Sequence, residues 1–168
     1  MWCDTEQQVE DIAVTYFQNI FITSCPTRIE ETLVAVNNVV SAEINQWLLL
    51  PYTPKEVRVA FFQMHPLKAA GSDGMSSFFF QKYWHIVGSS VSMAVLSVLN
   101  SGKLLRKINL TYIALILKKE SPEKMSDYRP ISLCNVLYKI ISKVIANRLK
   151  TVLSILFQTP RVLLYLGD

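Results

Sequence analysis

Residues 111–149 read TYIALILKKESPEKMSDYRPISLCNVLYKIISKVIANRL, and the fold turns on this stretch. Thr111 to Lys118 is nearly all apolar and rich in strand-forming residues, which predicts a strand that can be buried. Glu120 to Ser126 is polar and contains Ser121-Pro122, a turn signal. Extended character resumes from Tyr128 to Leu133. Pro130 biases Arg129 away from helix and cannot donate to a ladder, so this second strand should lie at an edge or break there. Asn135 is a plausible N-cap for a helix running to about Leu156. The stretch therefore predicts an antiparallel hairpin feeding a long helix.

On that helix Lys139, Lys143 and Lys150 project within about 40° of one another at ~100° per residue. Leu137, Ile141, Val144, Val152 and Ile155 take the opposite face. Arg148 falls among these apolar residues. A buried guanidinium without partners is expensive, so it should reach a carbonyl, an acid or a phosphate.

Upstream of the hairpin, Lys103, Arg106 and Lys107 form a basic cluster. Ser76 to Asn100 reads as one long helix. Phe79, Tyr83, Val87, Val91, Val95 and Val98 share a face, Gly88 is a soft spot and Gly102 is the terminator. Phe78, Phe80 and Trp84 widen the apolar band and can either pack in a core or stack on bases. Lys68-Ala69-Ala70-Gly71-Ser72-Asp73-Gly74 is a loop whose glycines let backbone N–H groups approach a phosphate, or simply turn the chain. It is not a P-loop, since no Gly-Lys-Ser/Thr follows. Thr53-Pro54-Lys55-Glu56 predicts a helix start: threonine cap, proline at the first position, glutamate closing a capping box. Val57, Ala60, Phe61 and Met64 make its stripe, Pro66 stops it, and His65 is expected as a C-terminal cap. Further upstream, Asp4 to Phe21 predicts an amphipathic helix capped by Asp4 and ended by Pro26, with Val9, Ile12, Tyr16 and Ile20 on one face. Ile29 to Val40 and Ser41 to Leu50 are two more helical candidates.

The chain has 168 residues, enough for one domain with a real core. Hydrophobic residues are 51% of it and charged residues 18%; mean hydropathy is +0.26. Either the core is large or an apolar face lacks its cover. No apolar run has the length of a membrane span, and early acids argue against a secretory leader. Cys3, Cys25 and Cys134 lack CxxC spacing, and His65 and His85 are solitary, so no His/Cys metal cluster is expected. Residues 1–60 carry three bases against eight acids, a net of −5, while residues 61–168 carry 14 bases against five acids, a net of +9. The second part has the charge of a phosphate binder, or of a solvated basic surface.

Several short motifs in order carry a resemblance. They are Lys68-Ala69-Ala70-Gly71-Ser72-Asp73-Gly74, Phe80-Gln81-Lys82-Tyr83-Trp84, Ile116-Leu117-Lys118, Asp127 to Val136, Tyr138 to Lys143, and Ala146-Asn147-Arg148-Leu149. Together they resemble the fingers region of LINE-type reverse transcriptases, from non-LTR retrotransposons of the plant form. The likeness covers roughly residues 51–158. It implies an α+β fold, predominantly helical, with a small antiparallel hairpin and an incomplete domain. It also implies three regions: 1–50, helices preceding the polymerase; 51–158, fingers-like; 159–168, a divergent tail.

The resemblance implies that Lys118 and Arg129 hold the incoming nucleoside triphosphate. Lys68, Lys103, Arg106, Lys107, Lys139, Lys143 and Lys150 are the candidates for RNA or DNA backbone. Arg129 offers a planar fork and Lys118 a compact charge on the neighbouring strand; pairing of either with Asp127 is the structural alternative. Family enzymes carry proline where Ala70, Ser72 and Leu117 stand, so a looser loop and altered strand geometry are expected here. DNA synthesis also needs carboxylates around two divalent metals. The resembled family supplies these from its palm, with one aspartate on a first strand and a Tyr-Ala-Asp-Asp turn on a hairpin. This sequence has no such turn, and its aspartates, Asp4, Asp11, Asp73, Asp127 and Asp168, include no two neighbours. The expectation is therefore a fragment of an RNA-directed DNA polymerase, truncated before the palm and inactive alone. It would have no catalytic or metal-ligating residue and no cofactor of its own, Mg2+ belonging to the complete enzyme. It would be intracellular, in nucleus or cytoplasm, without a membrane partner. A non-catalytic nucleic-acid-binding module and a decayed remnant are the alternatives.

Overall fold

The computed structural model describes residues 5–25, 27, 29–30 and 40–156. Its described part is predominantly helical with one two-stranded antiparallel sheet, the α+β class expected. The elements in order are α1 (Glu6–Phe21), α2 (Ala42–Leu48), α3 (Pro54–Phe62), α4 (Ser77–Lys82), α5 (Trp84–Ser101), α6 (Arg106–Asn109), β1 (Thr111–Leu117), β2 (Tyr128–Cys134) and α7 (Val136–Leu156). No helix among the described residues is long and apolar enough to cross a membrane. The chain divides into two compact units, one of Met1–Asn38 with Leu115–Ile131 and one of Val39–Ala114 with Ser132–Asp168.

The core of the larger unit is a triangle of α3, α5 and α7, each packed on the other two. Val57, Ala60 and Phe61 of α3 meet Val91, Val95 and Val98 of α5 and Val136, Ile140, Ile141 and Val144 of α7. Phe80 and Trp84 pack against this cluster, with Trp84 stacked on Phe61 at 4.8 Å between centroids. These two aromatics are core residues, whereas Phe78 is exposed. The apolar face of α7 is wider than expected, since Val136 and Ile140 extend it towards the lysines.

The expected helix start at Thr53 is present in full. The Thr53 hydroxyl accepts from the Glu56 amide at 3.4 Å, and the Glu56 carboxylate accepts from the Thr53 amide at 2.8 Å. Ser41 caps α2, its hydroxyl accepting from the Ile44 amide at 3.3 Å. Asn135 caps α7, accepting from the Tyr138 amide at 3.1 Å, and Gly102 ends α5 at φ +70°.

Several expectations need correction. Thr5 caps α1, its hydroxyl accepting from the Gln8 amide. Asp4, Pro26 and the tail from residue 157 lie outside the described residues. Of the Ile29–Val40 helix, Ile29 and Glu30 are helical, Val40 is not, and the rest is outside the described residues. On α1 the buried residue is Phe17, while Val9, Ile12 and Ile20 stay exposed. The long helix from Ser76 is two helices, broken at Tyr83 (φ −103°, ψ 21°). The cause is a double tether on α4: Phe78 N–H donates to the Pro66 carbonyl, and Gln81 Nε2 to the Met64 carbonyl. These hold α4 on the turn after α3, while α5 follows the core. His65 does not cap α3, which ends at Phe62; its Nδ1 accepts from the Leu67 amide.

The first strand is not buried. Apart from Thr111 and Ala114, every residue of β1 is exposed. The register is fixed at both ends: Lys118 N–H donates to the Asp127 carbonyl at 2.8 Å, and the Thr111 hydroxyl lies 3.5 Å from the Cys134 sulfur. Leu117 thus sits opposite Tyr128 and Leu115 opposite Pro130. Alternation of the ladder then turns the N–H groups of Tyr112, Ala114, Ile116 and Lys118 inward, to β2, and those of Ile113, Leu115 and Leu117 outward. Pro130 occupies an outward position, where its missing N–H breaks no ladder bond.

Candidate nucleic-acid interface

At the hairpin tip Asp127 is the organising group. Its Oδ2 accepts from the amides of Glu123 (2.9 Å) and Lys124 (3.0 Å) and pairs with Lys119 Nζ at 3.0 Å. The amide of Glu123, then the Lys119 ammonium, holds its carboxyl down at about 2. This closes one turn of 3₁₀ helix, Met125–Asp127, which the polar run did not foretell. Asp127 therefore pairs with neither Lys118 nor Arg129. The partner is Lys119, and the signal for the turn was an aspartate three residues after Lys124, able to cap the amides before it.

Lys118 Nζ donates to the Ser126 carbonyl at 2.6 Å. Arg129 is exposed, and its side chain has no hydrogen-bond or ion-pair partner among the described residues. In the register above, Arg129 lies opposite Ile116 and Lys118 opposite Asp127. Lys118 and Arg129 are thus diagonal neighbours on one face of the ribbon. The ribbon brings together a guanidinium with all its donors open and an ammonium held by a single carbonyl.

The other candidate cations belong to the larger unit. Asn135 ties three of their backbone segments together. Its Nδ2 donates to the carbonyls of Lys107 (3.3 Å) and Ile108 (3.1 Å) while its Oδ1 caps α7. The Lys68–Gly74 loop rests on the same junction: a Cβ built on Gly71 would stand 2.3 Å from the Asn135 nitrogen. Only glycine fits there. Lys139 Nζ donates to the Ala69 carbonyl at 2.6 Å, a second tether. Gly74 turns the loop at φ +68°, and Asp73 accepts from the Met75 amide. Lys139 thus has a structural bond of its own. Lys68, Lys103, Arg106, Lys107 and Lys150 are exposed and Lys143 is half-buried. None of these six has a carboxylate partner among the described residues.

Arg148 is buried, as its place on α7 predicted, and its pairing is structural. Nε and Nη2 grip the two Glu56 oxygens at 2.6 and 3.1 Å. Nη1 donates to the carbonyls of Leu48 (3.1 Å) and Leu50, and Nη2 to that of Pro51 at 3.0 Å. Its Cζ lies 3.7 Å from the centroid of the Tyr52 ring. All five donors are used, so none is left for phosphate. Among the described residues no group of three or more His, Cys, Asp or Glu is placed to hold a metal ion.

No protein-family model matches the chain. It is 30% identical over 150 residues to the Transposon TX1 uncharacterized 149 kDa protein of Xenopus laevis, across 88% of this chain. The match takes in 11% of that relative's length. In sequence, then, the chain is related to one segment of a much longer transposon protein.

Proposed function

We propose that the chain is the fingers portion of a reverse transcriptase of the non-LTR retrotransposon kind. Arg129 and Lys118 hold the phosphates of a nucleoside triphosphate, and the cations of the larger unit hold the nucleic-acid backbone. The observation that carries this reading is Arg129: exposed, on the same ribbon face as Lys118, with the nearby carboxylate of Asp127 already committed to Lys119. A guanidinium in that state presents a planar fork to phosphate oxygens without first breaking an ion pair. Lys118 exchanges one carbonyl bond for a phosphate. The similarity to a transposon protein supports the same reading.

The reading assigns no catalytic carboxylate to these 168 residues. The two-metal chemistry of such an enzyme, and its Mg2+, are assigned to a palm with its own acids. Titration of a nucleoside triphosphate into the chain and into Arg129→Glu tests the grip. The substitution should weaken binding by about tenfold or more, since one charge-assisted fork becomes a repulsion. It should leave the melting temperature unchanged, because no described residue depends on Arg129. Equal binding by both proteins refutes the role of Arg129. Primer extension by the purified chain with Mg2+ should give no product; a product would overturn the assignment of chemistry elsewhere.

A further inference from the structure

We infer that the outer edge of β1 is a self-association edge, through which two copies of this chain pair β1 antiparallel to β1 about a two-fold axis at Ala114. The inference does not rest on the polymerase reading.

The two edges of the ribbon differ. The β2 edge carries Pro130 in an outward position, with no N–H to give and a ring in the way of an incoming strand. The β1 edge presents the outward N–H and C=O groups of Ile113, Leu115 and Leu117. It has no proline and no charge before Lys118. Among the described residues no third strand takes it. The side chains along it are bare as well: Tyr112 is 57% exposed, Ile116 49% and Leu117 50%. A long, uncharged, apolar edge of this kind is a template for another strand.

The sequence of β1 selects a second β1 as the occupant. With Ala114 facing its own copy, the outward residues of the two strands pair in full, Ile113 with Leu115 and Thr111 with Leu117, each twice. Ala114 then sits in a non-hydrogen-bonded pair on the axis, where strands approach closest, and it is the smallest side chain in β1. Tyr112 faces Ile116 of the copy, an aromatic on a β-branched residue. Lys118 falls opposite Leu110 and Lys119 opposite Asn109. A parallel, in-register pairing would instead stack Lys118 on Lys118 and Lys119 on Lys119. Charge therefore excludes the parallel arrangement. The product is a four-stranded sheet, β2-β1-β1-β2, whose two outer edges both carry Pro130. Association closes at the dimer and does not propagate.

Sedimentation velocity on the 168-residue chain over about 1–100 µM, the range in which a modest interface titrates, tests this. A monomer–dimer equilibrium is expected. Leu115→Lys puts a charge against Ile113 of the copy and spares the β1–β2 ladder, since the Leu115 N–H points outward. It should raise the dimer dissociation constant by about tenfold or more. Should Leu115→Lys lose its far-ultraviolet circular dichroism, deuterium exchange on the unaltered chain decides: amides of Ile113, Leu115 and Leu117 should slow as concentration rises. A monomer throughout, a dimer untouched by Leu115→Lys, exchange independent of concentration, or open-ended polymers each overturn the proposal.

Discussion

Arg148 shows how one buried charge can be accommodated by full use of its donors. Its guanidinium joins α7 to the start of α3 through Glu56, and to the chain before α3 through three carbonyls. Replacing it by methionine keeps much of the volume but strands Glu56 and those carbonyls. The loss should be about 3–5 kcal/mol in urea unfolding, the range for breaking a buried pair from one side. Lysine in its place should recover only part of that, having three donors and no plane to lay on Tyr52. The pair also sets an acid limit. The hydrogen bond from Arg148 holds the Glu56 carboxyl below its ordinary value of 4.5. The folded value is the lower one, so the contribution is whole above 4.5. It erodes as the pH falls below that and is gone after the pH passes through the depressed value. Unfolding free energy measured from pH 6 downward should fall in that window, and the fall should be smaller in Arg148→Met.

At the scale of the element, α5 sets propensity against packing. Gly88 lies in the interior of that helix, where alanine would normally stabilise by about 0.8–1 kcal/mol. Here a Cβ would stand 2.7 Å from the Trp84 ring, which is itself stacked on Phe61. The ring cannot yield without disturbing the core, so packing decides: Gly88→Ala should destabilise by about 1–3 kcal/mol. A rise in melting temperature would contradict this. Elements of this kind mark what was legible in the sequence. Caps declare themselves locally, so Thr53 and Asn135 were readable from residue types and spacing. The break at Tyr83 was not, because its cause is two bonds to Met64 and Pro66, residues of the turn after α3. Likewise β1 reads as an interior strand by composition; only the absence of a covering layer among the described residues makes it an exposed one. Of the candidate site, the cations were visible as letters. That Arg148 needs partners was legible from its place on the apolar face of α7. Which groups hold it was not, nor that Lys118 is held by Ser126 and Lys139 by Ala69, since these are facts of three-dimensional neighbourhood.

For the molecule as a whole, that bookkeeping alters which variants inform on nucleic-acid binding. Lys139 is a poor probe, since removing it also releases the Lys68–Gly74 loop. Lys143 and Lys150 hold nothing among the described residues, so Lys143→Glu with Lys150→Glu should leave stability nearly unchanged. If both face single-stranded RNA, the slope of log affinity against log salt should become shallower by about 1.4, two contacts at ~0.7 each. An unchanged slope would remove them from the interface. The span of the Arg148 bonds has a further meaning for how the protein is made. Glu56 and Arg148 are 92 residues apart, which at about 5–20 residues per second separates their synthesis by roughly 5–18 s. During that interval α3 has left the ribosome with its face for α7 uncovered and the Glu56 carboxylate without its counter-ion. The nascent chain therefore waits with part of its core face bare until α7 arrives, a delay in which chaperone capture competes with closure of the bundle.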